Sequence, residues 1–318
     1  MSAHLPGTVV LRGTALAAQR DGTPLVALES SVLAQGLPIP ENAEADRRMR
    51  AAVRAGGAEP AMAAVVRGVP LLGLEGADLQ RFLARDGVGK VSTRDIAWAV
   101  TEGKDGATTV AATLACCRAV GVRVFATGGI GGVHREAPFD ESADLVELSR
   151  SSVITVCAGA KSILDLPATL ERLETLGVPV IGFETEEFPG FFTERTGLTL
   201  TQHTRDPAAI ARAFLAHRAL GARSGMLVVQ PPPAAAALDR TLVDAAVSTA
   251  LHEARPAGIR GPRITPFLLA AVERATAGRS LATNLALLEA NAALAARIAV
   301  ALHAIDPAHP LGAVPPAL

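Results

Sequence analysis

Short apolar, β-branched runs alternate along this chain with longer alanine-rich segments whose apolar residues recur at helical spacing. That alternation restricts the fold more than any other feature. The predicted strands are Leu25–Leu28, Met62–Arg67, Val122–Ala126, Val153–Cys157, Val178–Gly182 and Met226–Val229. The predicted helices are Glu41–Ala55, Ala77–Ala84, Ala107–Val120, Pro167–Leu176, Ala208–Leu220, Leu238–Glu253, Pro266–Ala277 and Leu281–Leu302. Strands that are apolar on both faces and separated by helices predict an α/β fold, a three-layer α/β/α sandwich around a largely parallel sheet. Residues 1–318 are read as a single domain with peripheral ends, the Pro- and Ala-rich C-terminus forming a loose tail.

Charge excludes one class of function. Lys and Arg number 30 against 31 Asp and Glu, so there is no basic footprint for nucleic acid. A small phosphorylated ligand needs only a few local cations and stays possible. Three cysteines, Cys116, Cys117 and Cys157, form no C-x-x-C and no disulfide framework; buried free thiols in a reducing compartment are expected. The start MSAHLPGTVVLRGTALAAQRDG lacks a basic stretch followed by a long apolar run, so no secretory leader is expected and the location is read as cytoplasmic. The apolar stretch Gly106–Val120 is short and contains Arg118, which suits a buried helix and not a membrane span.

Four islands place polar groups or glycines at the ends of apolar strands, where ligands of parallel α/β sheets collect. In PLVALESSVLAQGLP (Pro24–Pro38) a strand runs into Glu29, Ser30 and Ser31. A poorly hydrated carboxylate there suits proton transfer, and a cap or structural ion pair is the alternative. In the second, VGKVSTRD followed by GKDGATTV, Lys90 lies among small and apolar neighbours, and a helix start rich in Gly and Thr offers anion donors. Lys104 beside Asp105 reads as a surface residue.

The third, ATGGIGGVHREAPFDESAD, carries four glycines with His134, Asp140, Ser142 and Asp144. The glycines permit close backbone approach to a ligand, but neither a Walker loop nor a dinucleotide motif is present. Its oxygen donors favour Mn²⁺ or Mg²⁺ over structural zinc, against the alternative of a solvated acidic loop. In the fourth, VITVCAGAKSILDL, Lys161 follows a strand and an Ala-Gly-Ala turn. Partial desolvation there favours the neutral amine that nucleophilic attack requires; an ion pair with Asp165 on a helix face is the competing reading.

Taken in order, VALESSVLAQGLP, GKVSTRDIAWAV, GKDGATTVAATL, VRVFATGGIGGVHR, FDESADLVEL, VCAGAKSILDLPATLERLETLGVPVIGF, TPFLLAAV and SLATNLALLEANAALAARIA resemble the pseudouridine-5′-phosphate glycosidase family, from about Val26 to Ala299. The resemblance implies cleavage of the carbon–carbon bond between uracil and ribose 5-phosphate. It implies that Lys161 forms the covalent adduct with the sugar C1′, that Glu29 is the acid/base and that Asp140 binds the metal, with Mn²⁺ expected. It further implies substrate contacts at Lys90, Val110, Ser142, Ala143 and Asp144, base recognition by Asn284, and a homotrimer. His134 is a candidate for the phosphate or for bracing the loop. Pseudouridine 5′-phosphate, ribose 5-phosphate and uracil are then the small-molecule partners, with no nucleic acid and no membrane. Two alternatives stay open: another lysine-dependent sugar-phosphate lyase or aldolase, and a sugar-phosphate-binding protein without turnover.

Overall fold

The structure, a computed structural model, describes residues 7–135, 139–254, 256–259 and 264–307. The expected C-terminal tail lies largely outside them. The chain begins with β1 (Val10–Leu11), α1 (Gly13–Arg20), β2 (Leu25–Leu28) and, after a single π turn at Val32–Gly36, α2 (Glu41–Ala55). A hairpin of β3 (Glu59–Val66) and β4 (Val69–Leu72) follows, then α3 (Gly76–Ala84), β5 (Val88–Val91), α4 (Ile96–Thr101) and β6 (Asp105–Thr108). The middle holds α5 (Val110–Val120), β7 (Val124–Ala126), β8 (Val133–His134), α6 (Ala143–Arg150), β9 (Ile154–Cys157), β10 (Leu164–Asp165) and α7 (Leu166–Thr175). The last part contains β11 (Val180–Phe183), β12 (Gln202–Thr204), α8 (Pro207–Ala219), β13 (Met226–Val229), α9 (Arg240–Ala254), α10 (Ile264–Ala275) and α11 (Arg279–Ile305).

The main sheet runs β1-β4-β3-β2-β7-β9-β13-β11-β12, with β5 and β6 attached through β3. From β3 to β12 along this path every pair is parallel; the antiparallel pairs are β3–β4 and β3–β6. The α/β class with a mostly parallel central sheet is therefore what forms. β2, β9 and β13 are buried along their whole length, as strands covered on both faces must be.

Topology sorts the helices. The connection β2–α2–β3 moves one way along the sheet and β7–α6–β9 moves the other. Right-handed crossovers then put α2 and α6 on opposite faces. Contacts agree: α11 packs on α2, α8, β2, β7 and β9, while α5 packs on α6. By length and composition α11 is apolar enough to cross a membrane. Its apolarity has a simpler cause, since Leu287, Leu288, Leu294, Ala295 and Ile298 are buried against those neighbours.

Local chemistry sets many boundaries. Asp206 accepts from Ala208 N–H and caps α8, with Pro207 in its first turn. Asp165 caps α7 by accepting from Ala168 N–H, with Pro167 in its first turn. Arg67 and Gly68 both have positive φ, the two-residue turn a tight hairpin requires; the strand expected to run to Arg67 therefore ends at Val66. The larger correction concerns Ala107–Val120. Its alanines and threonines read as one helix, but Asp105–Thr108 is strand β6, and α5 starts only at Val110 behind the Thr109 cap. β6 lies against the part of β3 that projects beyond β2, with Ala107 opposite Ala64. Tertiary pairing outweighs local helix propensity there.

Candidate active site

β2 and β7 are neighbours whose following helices leave toward opposite faces, which makes their carboxyl ends the switch point of this sheet. Glu29 stands directly after β2 and Thr127 directly after β7. The Glu29 carboxylate is buried and accepts one hydroxyl donor at each oxygen: Thr127 Oγ1 donates to Oε1, and Ser31 Oγ donates to Oε2 at 2.5 Å. Neither a helix cap nor an ion pair explains Glu29.

Beneath it lies a buried hydroxyl network. Thr108 N–H donates to Ser30 Oγ at 2.9 Å, Thr108 Oγ1 donates to Ala63 O at 2.9 Å, and Thr113 Oγ1 donates to Thr108 Oγ1 at 3.0 Å. Through it the end of β6 is tied to the end of β2, and Val110, the first residue of α5, is brought buried to the same mouth.

Lys161 follows β9, the next strand beyond β7. Its backbone N–H donates to Ile130 O at 3.1 Å, Ile130 N–H donates to Gly159 O at 3.1 Å, and Ala158 N–H donates to Gly128 O at 2.9 Å. These bonds zip the glycine-rich loop to the loop carrying Lys161. Lys161 is half-buried and lies outside any helix, while Asp165 is occupied as the α7 cap. The i, i+4 ion pair considered for them is thus not what forms.

Lys90 projects from β5 and connects the two loops electrostatically. Its side chain reaches solvent, yet its pKa is lowered, first by burial and then by the positive charge of Lys161, against the opposing charges of Glu29 and Asp144. Glu29, Thr127 and Lys161 thus stand at one mouth, the carboxyl ends of the adjacent strands β2, β7 and β9, with Lys90 in electrostatic range of Glu29, Asp144 and Lys161.

Asp144 is buried and braces the site: Oδ1 accepts from Ala111 N–H at 2.9 Å and Oδ2 from Gly131 N–H at 2.8 Å. Ser142 caps α6 by accepting from Asp144 N–H at 3.2 Å, and Ala143 is exposed at the first turn. The glycines of this loop serve packing. None of Gly128, Gly129, Gly131 or Gly132 has positive φ. A Cβ at Gly129 would meet the Phe191 ring, one at Gly131 would meet Ser142 and Asp144, and one at Gly132 would meet Thr169.

Asp140 is exposed, and its backbone carbonyl accepts from His134 N–H at 3.0 Å. Its carboxylate has no ion-pair partner among the described residues, and no group of three or more His, Cys, Asp or Glu side chains converges on a common point among them. A single exposed carboxylate does not make a dry multi-ligand cage; an ion here would keep most of its water, as Mg²⁺-like ions do. His134 and Asn284 are half-buried, on β8 and α11 respectively. Lys104 is exposed and paired with Glu102. All three cysteines are free and buried. Burial pushes the thiols of Cys116 and Cys157 up to about 12 and raises that of Cys117 as well, so none is a nucleophile at neutral pH.

Thr127, Thr108 and Asn291 were not singled out from the sequence. Thr127 was visible as the first polar residue after a strand. Asn291 sits three and four residues after Leu288 and Leu287 on the apolar stripe of α11, a polar residue where a hydrophobic one belongs.

Residues 15–301 match the family model described as indigoidine synthase A like protein. A protein of Gemmatimonas aurantiaca named pseudouridine-5′-phosphate glycosidase is 65% identical over 91% of this chain and 94% of its own length. One of the same name from Herpetosiphon aurantiacus is 53% identical over 92% and 98%. Among solved structures, the prealnumycin C-glycosynthase AlnA in complex with ribulose 5-phosphate superposes with a TM-score of 0.87 at 34% identity, covering 94% of this chain and 99% of that one. By sequence and by fold, the chain belongs to the pseudouridine-5′-phosphate glycosidase family.

Proposed function

We propose that this protein is an enzyme that cleaves the C–C glycosidic bond of pseudouridine 5′-phosphate, giving uracil and ribose 5-phosphate, with Lys161 as nucleophile and Glu29 as acid/base. The carrying observation is that Glu29 and Lys161 follow the two strands that flank β7 and are both tied to the loop after it, Glu29 through Thr127 and Lys161 through Ile130. The names of relatives at 65% and 53% identity, and a C-glycosynthase neighbour bound to a sugar phosphate, support the same reading.

The chemistry explains the residue set. Expelling uracil from a C-glycoside leaves an electron pair on ring carbon C5, so an oxocarbenium mechanism with two carboxylates is insufficient. In the proposed sequence the C1′–O4′ bond breaks, and O4′ takes a proton delivered through Glu29. The neutral Lys161 amine adds at C1′ and gives up a proton. Its nitrogen lone pair then forms the C1′ iminium as the C1′–C5 bond breaks. The bonding electrons and a proton go to C5, releasing uracil, and water hydrolyses the iminium to ribose 5-phosphate and free Lys161. Splitting one difficult cleavage into addition and elimination is the gain of covalent catalysis. Lys90, the first turn of α5 at Val110, and Ser142 and Ala143 at the start of α6 are assigned to the substrate's phosphate and sugar; His134 borders the same loop. Asn284 is assigned to the base.

Asp140 is assigned to a hydrated Mn²⁺, which when bound supplies electrostatic stabilisation to the substrate's polar groups. A homotrimer and a cytoplasmic location belong to the same proposal. The direct test is purified protein with pseudouridine 5′-phosphate, with and without Mn²⁺, monitored for uracil. Borohydride added with ribose 5-phosphate should fix the pentose on Lys161. Release of uracil without any trapped adduct at Lys161 removes the nucleophile assignment; no uracil under either condition removes the function.

A further inference from the structure

Asn291 is buried in the middle of α11, and its hydrogen bonds go to Thr127, Gly128 and Gln230, none of them assigned to substrate. Its amide nitrogen donates to Thr127 O at 2.8 Å and to Gly128 O at 3.4 Å. Its amide oxygen accepts from Gln230 Nε2 at 2.9 Å. Both partners of the nitrogen are carbonyls and the partner of the oxygen is an N–H donor, so only this orientation of the amide satisfies the network. Gln230 follows β13, and its backbone N–H donates to Cys157 O at 3.1 Å. The carboxyl ends of β7, β9 and β13 are thus pinned at one point from the α11 side.

What hangs from that point is the chemistry. Thr127, held by its carbonyl, turns its hydroxyl onto Glu29 Oε1. Gly128, held by its carbonyl, also accepts from Ala158 N–H and begins the ladder that ends at Lys161 N–H on Ile130 O. One side chain therefore fixes the supports of two groups that approach from opposite sides of β7. We infer that Asn291 is a positioning residue that sets Glu29 and Lys161 against each other, with Thr127 as the arm that reaches Glu29. The inference rests on the roles proposed for those two residues.

A residue that only stabilises the fold would change the melting temperature and leave the turnover of folded protein alone. A positioning residue changes kcat more than KM, because misplacing reacting groups by about 1 Å costs on the order of 10²-fold. Asn291→Leu keeps the branching and heavy-atom number of the side chain and removes all three hydrogen bonds. At a temperature where the variant is fully folded, its kcat for uracil release is expected to fall about 10- to 100-fold, with KM changed no more than about twofold.

Because a buried Asn→Leu change leaves the Thr127 and Gly128 carbonyls short of a donor, the arm is tested separately. Thr127→Val replaces the hydroxyl with a methyl group and is expected to lower kcat similarly, again with KM little changed. Thr127→Ser, which keeps the hydroxyl, returns most of the turnover. Unchanged kcat in Asn291→Leu, or a loss in Thr127→Val that Thr127→Ser does not restore, overturns the inference. Turnover retained in Glu29→Gln and Lys161→Ala would instead overturn the functional reading beneath it.

Discussion

At the amino ends of β2 and β7 a cleft of about 450 Å³ opens between Gly22–Leu25, Gly121–Val124 and the end of α11. At the carboxyl ends of the same two strands lie Glu29 and Thr127, with Lys161 one strand further on. The amino-end cleft has the room but little chemistry: Arg123, its main charge, is bound to Asp306 Oδ2 at 2.6 Å and to Asp306 O at 3.0 Å. At the carboxyl end Lys90 is in electrostatic range of Lys161, Glu29 and Asp144. Strand direction produces the difference. Loops that leave the carboxyl ends toward opposite faces part there and let side chains converge, whereas at the amino ends the chain merely returns to the sheet. The two ends therefore differ in charge, which gathers where the loops part.

That contrast can be broken at either end. The largest effect is expected from Lys161→Ala, which should lower uracil release by at least about 10⁴-fold, measured as kcat with saturating pseudouridine 5′-phosphate. Near-normal turnover would detach the carboxyl end from catalysis altogether. Glu29→Gln keeps the shape and both hydroxyl neighbours while removing the proton shuttle, and should cost about 10²–10⁴-fold. A smaller loss would leave Glu29 with a structural role only.

Lys90 sharpens the electrostatic half of the comparison. Its ammonium is the form that binds phosphate, and burial together with Lys161's charge lowers its pKa. Affinity for ribose 5-phosphate should therefore decline with rising pH before an ordinary lysine would titrate. Lys161→Met removes the neighbouring charge, so the decline should move to higher pH. Calorimetric titration of both proteins across alkaline pH reads this; a shift the other way contradicts the shared mouth. The smallest effect belongs to the amino end. Arg123→Ala should reduce stability by about 1–3 kcal/mol through the lost charged hydrogen bonds and leave turnover unchanged. A variant that melted normally but turned over slowly would make the amino-end cleft a functional site after all.

Some elements needed only sequence. β2, α2 and β13 occupy the residues expected, because continuous apolar runs and helical spacing survive whatever surrounds them. Glu29, Lys90, Asp140 and Lys161 were visible as charged residues placed beside apolar strands or glycine turns. Other elements needed the fold. The end of β6, Ala107–Thr108, reads locally as the start of a helix and becomes β because β3 extends past β2 and offers an unpaired edge. The two-residue strands β8 and β10 pair with each other across a separation that no local pattern signals.

The amino-acid order by itself determined the α/β class, the parallel sheet and the identity of the charged groups, since hydrophobic period and residue type are local properties. Only the tertiary structure decided which of those groups meet. Glu29 is held by a threonine 98 positions away, and that threonine is held in turn by an asparagine 164 positions further on. Hydrogen bonds act over about 3 Å, so partnerships of this kind come into being only when folding has closed the intervening chain.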